Sequence, residues 1–260
     1  MNYETLELTI DGPAAIIRMN RPAKRNAITF KMMEELEAAF AALHDDAAVR
    51  GIIVTGAEGC FSAGMDLNAL KDVISPAQFM GYMEKWRRLN EVIENHPKPI
   101  IAAIEGYCLT GGFELALACD LRVGARGSQY GITSSKIGTV PGAGGTQRLP
   151  RIVGISNALD ILFSADPIDA ERAYEIGVLN RLTEKGQALS AAKEMVGVYV
   201  NRAPLSLQWA KRAVYAGMQM PLTDAIKYEA FIVSTIYQTP DRQEGIRSFL
   251  EKRSPRFTGA

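Results

Sequence analysis

Two apolar runs, "RGIIVTG" at 50–56 and "KPIIAAIEG" at 98–106, each end on glycine and show no polar alternation. Continuous runs of that length are strands buried on both faces, and such strands belong to sheets covered by helices. The stretch between them, "AQFMGYMEKWRRLNEVIEN" (77–95), carries apolar residues at helical spacing, so strand, helix and strand follow one another. That succession predicts an α/β fold. Upstream, "TLELTI" and "AAIIRMN" flank the turn "DGP" as a hairpin does, and Thr29 is placed to cap the helix of "FKMMEELEAAFAAL". "CDLRVGA" (119–125) is a further strand. After about residue 140 the strand signals fade, and helices are expected at 144–152, 156–164, 169–176, 187–201, 204–217, 222–237 and 241–252. The shift near 200 divides the chain into a core, 1–200, and a helical C-terminal subdomain, 201–260, within a length ample for one large core.

Charge and composition exclude several classes of function. Lys plus Arg equals Asp plus Glu at 29 each, so no net field recruits nucleic acid or an anionic membrane, although "RPAKR" (21–25) is locally basic. The three cysteines, Cys60, Cys108 and Cys119, follow no metal-ligand spacing and are too few for a disulfide framework. They are expected to be reduced and mostly in the core. With only His44 and His96, a site of several histidines is excluded, and no metal is expected. "MNYETLELTIDG" is charged and alternating, unlike a signal peptide, and no apolar run reaches the ~18 residues of a membrane span. The expectation is a cytoplasmic protein with no membrane association.

Two glycine-bearing loops follow the buried strands: "TGAEGCFSAGMDL" (55–67) and "GYCLTGGFEL" (106–115). A strand-to-helix loop of this kind exposes unpaired N–H groups, and glycine lets the backbone approach a ligand. Two such loops side by side could aim two donors at one oxygen. The plainer alternative is that Gly64, Gly111 and Gly112 only make turns. Neither loop has a nucleotide-binding fingerprint, and "PGAGGTQRL" (141–149) lacks the lysine and the preceding strand of a phosphate loop. Within "GYCLTGGFELALACD" the only acid before the terminal Asp120 is Glu114, set among Leu, Phe, Ala and Cys where a charge is expensive to keep. It is a helix glutamate facing solvent, a member of a buried ion pair, or a carboxylate kept for its chemistry.

"FSAGMDL", "KPIIAAIEGYCLTGGFELALACD" and "GTVPGAGGTQRLPR", in that order, resemble the crotonase family of enoyl-CoA hydratases and isomerases. "MNRPAKRNAIT" (19–29) and "EGIRSFLEKRSPRF" (244–257) fit as well, so the resemblance covers nearly the whole chain. It implies a crotonase-like spiral of repeated β-β-α units with a helical C-terminal trimerisation region, assembled as a trimer or as a hexamer of two trimers. It implies an acyl-CoA thioester as substrate, with coenzyme A part of that substrate and no separate cofactor. The oxyanion-hole positions fall on the backbone N–H groups of Met65 and Gly111. Lys24, Arg25 and Ala27, with Ala63, Asp66 and Leu67 in the first loop and Gly142 in the third motif, fall at coenzyme A and substrate contacts. Glu114 matches one of the family's two catalytic glutamates, and burial raises a carboxyl's pKa toward the range of acid–base work.

The second glutamate is missing. Aligning on "QYG…GTVPGAGG" places Ser134 there, and a hydroxyl cannot give up and regain a proton as a carboxylate does. Lys136 is near in sequence but is expected to point elsewhere. Three readings follow. The first is a hydratase in which Glu114 and ordered water share the proton transfers. The second is another reaction of a coenzyme A ester, such as decarboxylation, carbon–carbon hydrolysis or isomerisation. The third is a non-catalytic acyl-CoA-binding or RNA-binding relative. Elsewhere, Asp120 is expected to satisfy backbone groups and His96 to be a loop residue, while Tyr82, Met83 and Trp86 either face an acyl pocket or, the plainer reading, are core.

Overall fold

The computed structural model describes residues 3–70 and 75–260. The predicted hairpin forms from β1 (Leu6–Asp11) and β2 (Ala14–Met19), and Leu8 pairs with Ile17 across it. Thr29 caps α1 (Phe30–Leu43), its side chain accepting from the Met32 N–H. The apolar runs become β3 (Gly51–Gly56) and β4 (Ile100–Ile104). Between them lies α2 (Pro76–Asn95), begun by a reciprocal capping pair of Ser75 and Gln78. Next come β5 (Tyr107–Leu109), α3 (Gly111–Ala118), β6 (Leu121–Ala125) and β7 (Gln129–Gly131). The chain continues through α4 (Gly145–Val153), α5 (Ile155–Ser164), β8 (Ile168–Asp169), α6 (Ala170–Glu175), β9 (Arg181–Thr183) and α7 (Ala188–Val200). Three helices close it: α8 (Pro204–Gly217), α9 (Leu222–Ile236) and α10 (Pro240–Leu250).

A six-stranded sheet runs β1-β2-β3-β4-β6-β9, parallel except for the β1–β2 pair, and a three-stranded sheet runs β5-β7-β8. Two large-sheet strands hand the chain directly to the small sheet: β4 is followed by β5 and then α3, β6 by β7 and then helices. The turn after β3 repeats the pattern, because Ser62 bridges in parallel to Cys108 of β5. This is the expected spiral of β-β-α units. Beyond residue 140, where strand signals fade, the chain is mainly helical as expected, and β8 and β9 are short additions to it. They are two and three residues long, too short to show any periodicity.

The inner faces of the large sheet are filled by Ile17, Ile52, Val54, Ile100 and Ile104 on one side, and by Ile16, Ile53, Ile101 and Val123 against α7 on the other. Each such side chain contributes roughly 1.5–3 kcal/mol on burial. All of α3 is buried, consistent with a helix that is apolar on every face except at Glu114. Cys108 and Cys119 are free and buried, and Cys60 is half-buried and free. His96 differs from expectation: it is buried at the C-terminal cap of α2, its Nε2 3.2 Å from the Phe40 carbonyl oxygen. Among the described residues no helix is long and apolar enough to cross a membrane.

Candidate active site

The parallel bridge between the first loop and β5 brings the two glycine loops together. Ser62 N–H donates to Tyr107 O and Leu109 N–H to Ser62 O, so the chain after Ser62 runs beside the chain after Leu109. Those continuations are Gly64–Met65 and Thr110–Gly111. A Cβ on Gly64 would lie 3.3 Å from Gly111 N, and one on Gly111 would lie 3.4 Å from Met65 N. Among the described residues neither the Met65 nor the Gly111 N–H donates a hydrogen bond. Gly111 opens α3, where N–H groups have no helical acceptor and the helix dipole is positive.

Backbone geometry at these points is demanding. Gly64 has φ +103°, a conformation that side chains rarely adopt. Thr110 has φ +44° although it is β-branched, which costs on the order of 1–3 kcal/mol. Its N–H donates to Gly131 O at 2.7 Å, and its hydroxyl meets the Thr133 hydroxyl at 2.9 Å. Those bonds hold the peptide that presents the Gly111 N–H.

Glu114 lies one turn into α3 and is 3% exposed. Its Oε1 accepts two hydrogen bonds of 2.8 Å, from the N–H groups of Ala143 and Gly145. Among the described residues its Oε2 accepts none, yet it is not one of the fully enclosed polar atoms that lack a partner. Burial pushes the carboxyl pKa up to about 7, against the pull of the two N–H groups and of the Arg148 cation. Loop and carboxylate are fitted closely: a Cβ on Gly145 would lie 3.0 Å from Oε1 and 2.7 Å from Ile132 Cδ1. Thus neither a solvent-facing glutamate nor a buried ion pair describes Glu114.

Tyr82 and Trp86 meet both expectations, being buried in the core and walling the site. The Trp86 indole N–H donates to the Tyr82 hydroxyl, and the Trp86 ring would be 3.2 Å from a Cβ on Gly111. Tyr82 feels the Glu114 charge, and burial holds its phenol above the ordinary range. Met83 sulfur would be 2.4 Å from a Cβ on Gly142. Ser134 is 4% exposed and begins a short 3-10 turn (Ser134–Ile137) just after Thr133, whose N–H reaches the Thr110 hydroxyl. Lys136 turns outward to Asp166 at 2.6 Å, as expected.

The segment from Lys24 to Ala27 is zipped to the first loop. Ala63 N–H donates to Arg25 O, Ile28 N–H to Gly64 O, and Asp66 N–H to Ile28 O. Arg21 bridges the two by donating to Ala27 O and pairing with Asp66 at 3.0 Å, an arrangement that helps lower the Asp66 pKa despite some burial. Lys24 is exposed, Arg25 lies 5.5 Å over the Tyr107 ring, and Leu67 projects with 59% exposure. Sequence reasoning missed Asn26 and Ser62, which organise this region. Fully buried Asn26 donates to Ala57 O and Cys60 O, and the Ser62 hydroxyl donates to Asn26 O and accepts from Gly64 N–H. Among the described residues no group of three or more His, Cys, Asp or Glu is placed to hold a metal ion.

The family model for enoyl-CoA hydratase/isomerase matches residues 10–260. The chain belongs to that family. It is 35% identical to the crotonyl-CoA hydratase of Syntrophomonas wolfei, over 99% of each chain. It is 36% identical to a mitochondrial methylglutaconyl-CoA hydratase of Mus musculus, over 94% of this chain and 79% of the mouse protein. Its fold matches the crystal structure of an enoyl-CoA hydratase from Bacillus anthracis with a TM-score of 0.94 at 31% identity, covering 99% and 100% of the two chains. This member of the enoyl-CoA hydratase family, a family of lyases, thus has the crotonase fold of two sheets and C-terminal helices.

Proposed function

We propose that this protein adds water across the α,β double bond of an enoyl-CoA thioester, and removes it in reverse, with Glu114 as the acid–base group. The observation that carries the reading is the pairing of two unengaged N–H groups with a buried carboxylate poised near neutrality. The N–H groups of Met65 and Gly111 hold the thioester carbonyl oxygen as it becomes enolate-like, and the positive end of α3 adds to that stabilisation. Glu114 Oε2 takes a proton as a water oxygen bonds to the β-carbon. The electron pair of the double bond moves onto the thioester as the enolate. The same carboxyl then returns its proton to the α-carbon, so that one water is added in total. The Ser134 hydroxyl orients the water and does not carry the proton.

The coenzyme A moiety lies along Lys24, Arg25, Ala27, Ala63 and Asp66, and Leu67 and Gly142 complete the coenzyme A and substrate contacts. The joining of residues 24–27 to the first loop supports this placement. Residues 201–260 form an oligomer-contact subdomain beside the 1–200 core, and the protein is a trimer or a hexamer of two trimers. Exposed Leu222, Ile226, Phe231 and Val233 on α9, with Tyr237 just past its end, supply an apolar surface for those contacts. Light scattering at micromolar concentration should show at least a trimer.

The test is Glu114→Gln, which keeps shape and hydrogen bonding but not the exchangeable proton. Turnover of crotonyl-CoA, followed as gain of one water by mass, should fall roughly 10²–10⁴-fold while thioester affinity survives. Near-normal turnover of the best coenzyme A ester found, in a Glu114→Gln variant that does not hydrate crotonyl-CoA, would favour the second reading, which Ser134 in place of a carboxylate supports: decarboxylation or carbon–carbon cleavage of a coenzyme A ester driven by the oxyanion hole alone.

A further inference from the structure

The loop that grips Glu114 contains glycine at 142, 144 and 145, and three glycines in four residues leave a backbone with little stiffness of its own. Its rigidity comes from outside. The Ala143 carbonyl, which lies along the chain between the two N–H groups that grip Oε1, accepts from Asn90 Nδ2 at 2.7 Å and from Arg148 Nη1 at 3.2 Å. Arg148 Nε is held in turn by Glu94 at 2.6 Å. The guanidinium lies where a side chain at 144 would be, because a Cβ there would be 1.8 Å from Nη1. Asn90 is buried on α2, and its Oδ1 is one of two enclosed side-chain polar atoms without a partner among the described residues. A buried amide with half its capacity unmet fits a position held for the other half, the donor to Ala143.

We propose that Asn90 and the Glu94-braced Arg148 are positioning residues that fix the Gly142–Gly145 loop, so that Glu114 presents Oε2, and not Oε1, as its proton-carrying oxygen. The inference rests on the reading of Glu114 as the acid–base group. The groups facing Glu114 from the elements around it are few. Arg148 faces it from α4 with Glu94 of α2 behind the arginine, and neutral Tyr82 faces it from α2. Apolar Ile132 comes from the segment after β7, which continues to the Ser134 hydroxyl, while Lys136 is engaged with Asp166. Arg148 is therefore the one cation among the described residues that acts on this carboxyl, and its removal should affect both the loop and the titration.

The experiment compares R148Q, R148K and N90A. It measures turnover of an enoyl-CoA across pH, and calorimetric affinity for a saturated acyl-CoA thioester that cannot be hydrated. R148Q should lower kcat about 10- to 100-fold, the scale of a ~1 Å misplacement, with affinity for the saturated thioester retained. Its acid limb should move to higher pH, because the cation that favours the carboxylate is gone. R148K should return the limb toward its original position while recovering only part of kcat. N90A should lower kcat with the limb unmoved, and it serves if R148Q does not fold. Normal kcat and an unmoved limb in R148Q, normal kcat in N90A, or thioester affinity falling in step with kcat would overturn the proposal. A Glu114→Gln variant that keeps turnover removes the underlying reading instead. Loss of turnover in Glu114→Gln beside normal R148Q and N90A removes only this inference.

Discussion

Helix α3 and the residues just past it hold two carboxylates treated in opposite ways. Asp120 accepts from the Ile100 N–H at 2.7 Å, pairs with Lys211 of α8 at 2.9 Å, and accepts from the Tyr215 hydroxyl at 3.1 Å. Burial pushes its pKa up, and the lysine and hydrogen bonds pull it back. Glu114 has no cation in direct contact, only two N–H groups on one oxygen, and its pKa settles at about 7. The desolvation is shared and the partners differ. Asp120 is a fastening that ties strand, helix and C-terminal helix together, whereas Glu114 is left able to titrate.

The largest effect should come from breaking the fastening. Lys211→Met leaves Asp120 enclosed without its cation, and unfolding free energy should fall by about 3–5 kcal/mol in denaturant titrations. The pH dependence of turnover should stay put, which is how the two carboxylates are shown to be independent. A shift in that dependence would mean they are coupled.

The next effect is a gain. The Glu114 pKa is raised on folding, so ionisation opposes the folded state. The cost is absent below the unfolded value of 4.5, grows as pH rises, and is complete above about 7, where it reaches roughly 3 kcal/mol. Glu114→Gln never ionises, so it should be more stable than the parent at pH 8 and no more stable near pH 4.5. Thermal melts at the two pH values test this, and equal differences at both would refute it. The same pKa places the acid limb of kcat/KM at about 7 in the parent protein, with activity lost as pH falls.

Smaller changes probe the grip itself. Gly145→Ala inserts a Cβ 3.0 Å from Glu114 Oε1 and 2.7 Å from Ile132 Cδ1, and should cost about 1–3 kcal/mol of stability together with much of the turnover. A stable, fully active Gly145→Ala would show that the loop is not tightly set. Ser134→Ala should lower turnover only about 2- to 10-fold, the size of one neutral hydrogen bond. A loss as deep as that of Glu114→Gln would make the serine a participant in proton transfer and end the single-carboxylate mechanism.

Much of this site is legible along the chain because its donors come from contiguous stretches. Gly111, Gly112 and Glu114 sit within one turn, and Met65 follows Gly64 in a loop that announces itself by glycine after a buried strand. The helices of the C-terminal half also fall where periodicity puts them. The small sheet was not legible, because β5, β7 and β8 have two or three residues each and show no period. The restraints on the Glu114 loop were equally hidden. Asn90 and Ala143 lie 53 residues apart, and Glu94 and Arg148 lie 54 apart. On the sequence alone each is an ordinary helix or loop residue.

The amino-acid order by itself determined the alternation of buried strands and helices, the two glycine loops, and the presence of one acid in an otherwise apolar helix. These are local properties, set by burial pattern, backbone freedom and side-chain polarity within a few residues. Only the tertiary structure decided that the two loops lie side by side, that Asp120 meets Lys211, and that Glu114 meets two N–H groups and no direct cation. Which partners a buried carboxylate finds depends on segments dozens of residues away, and those partners set whether it stays charged or exchanges a proton.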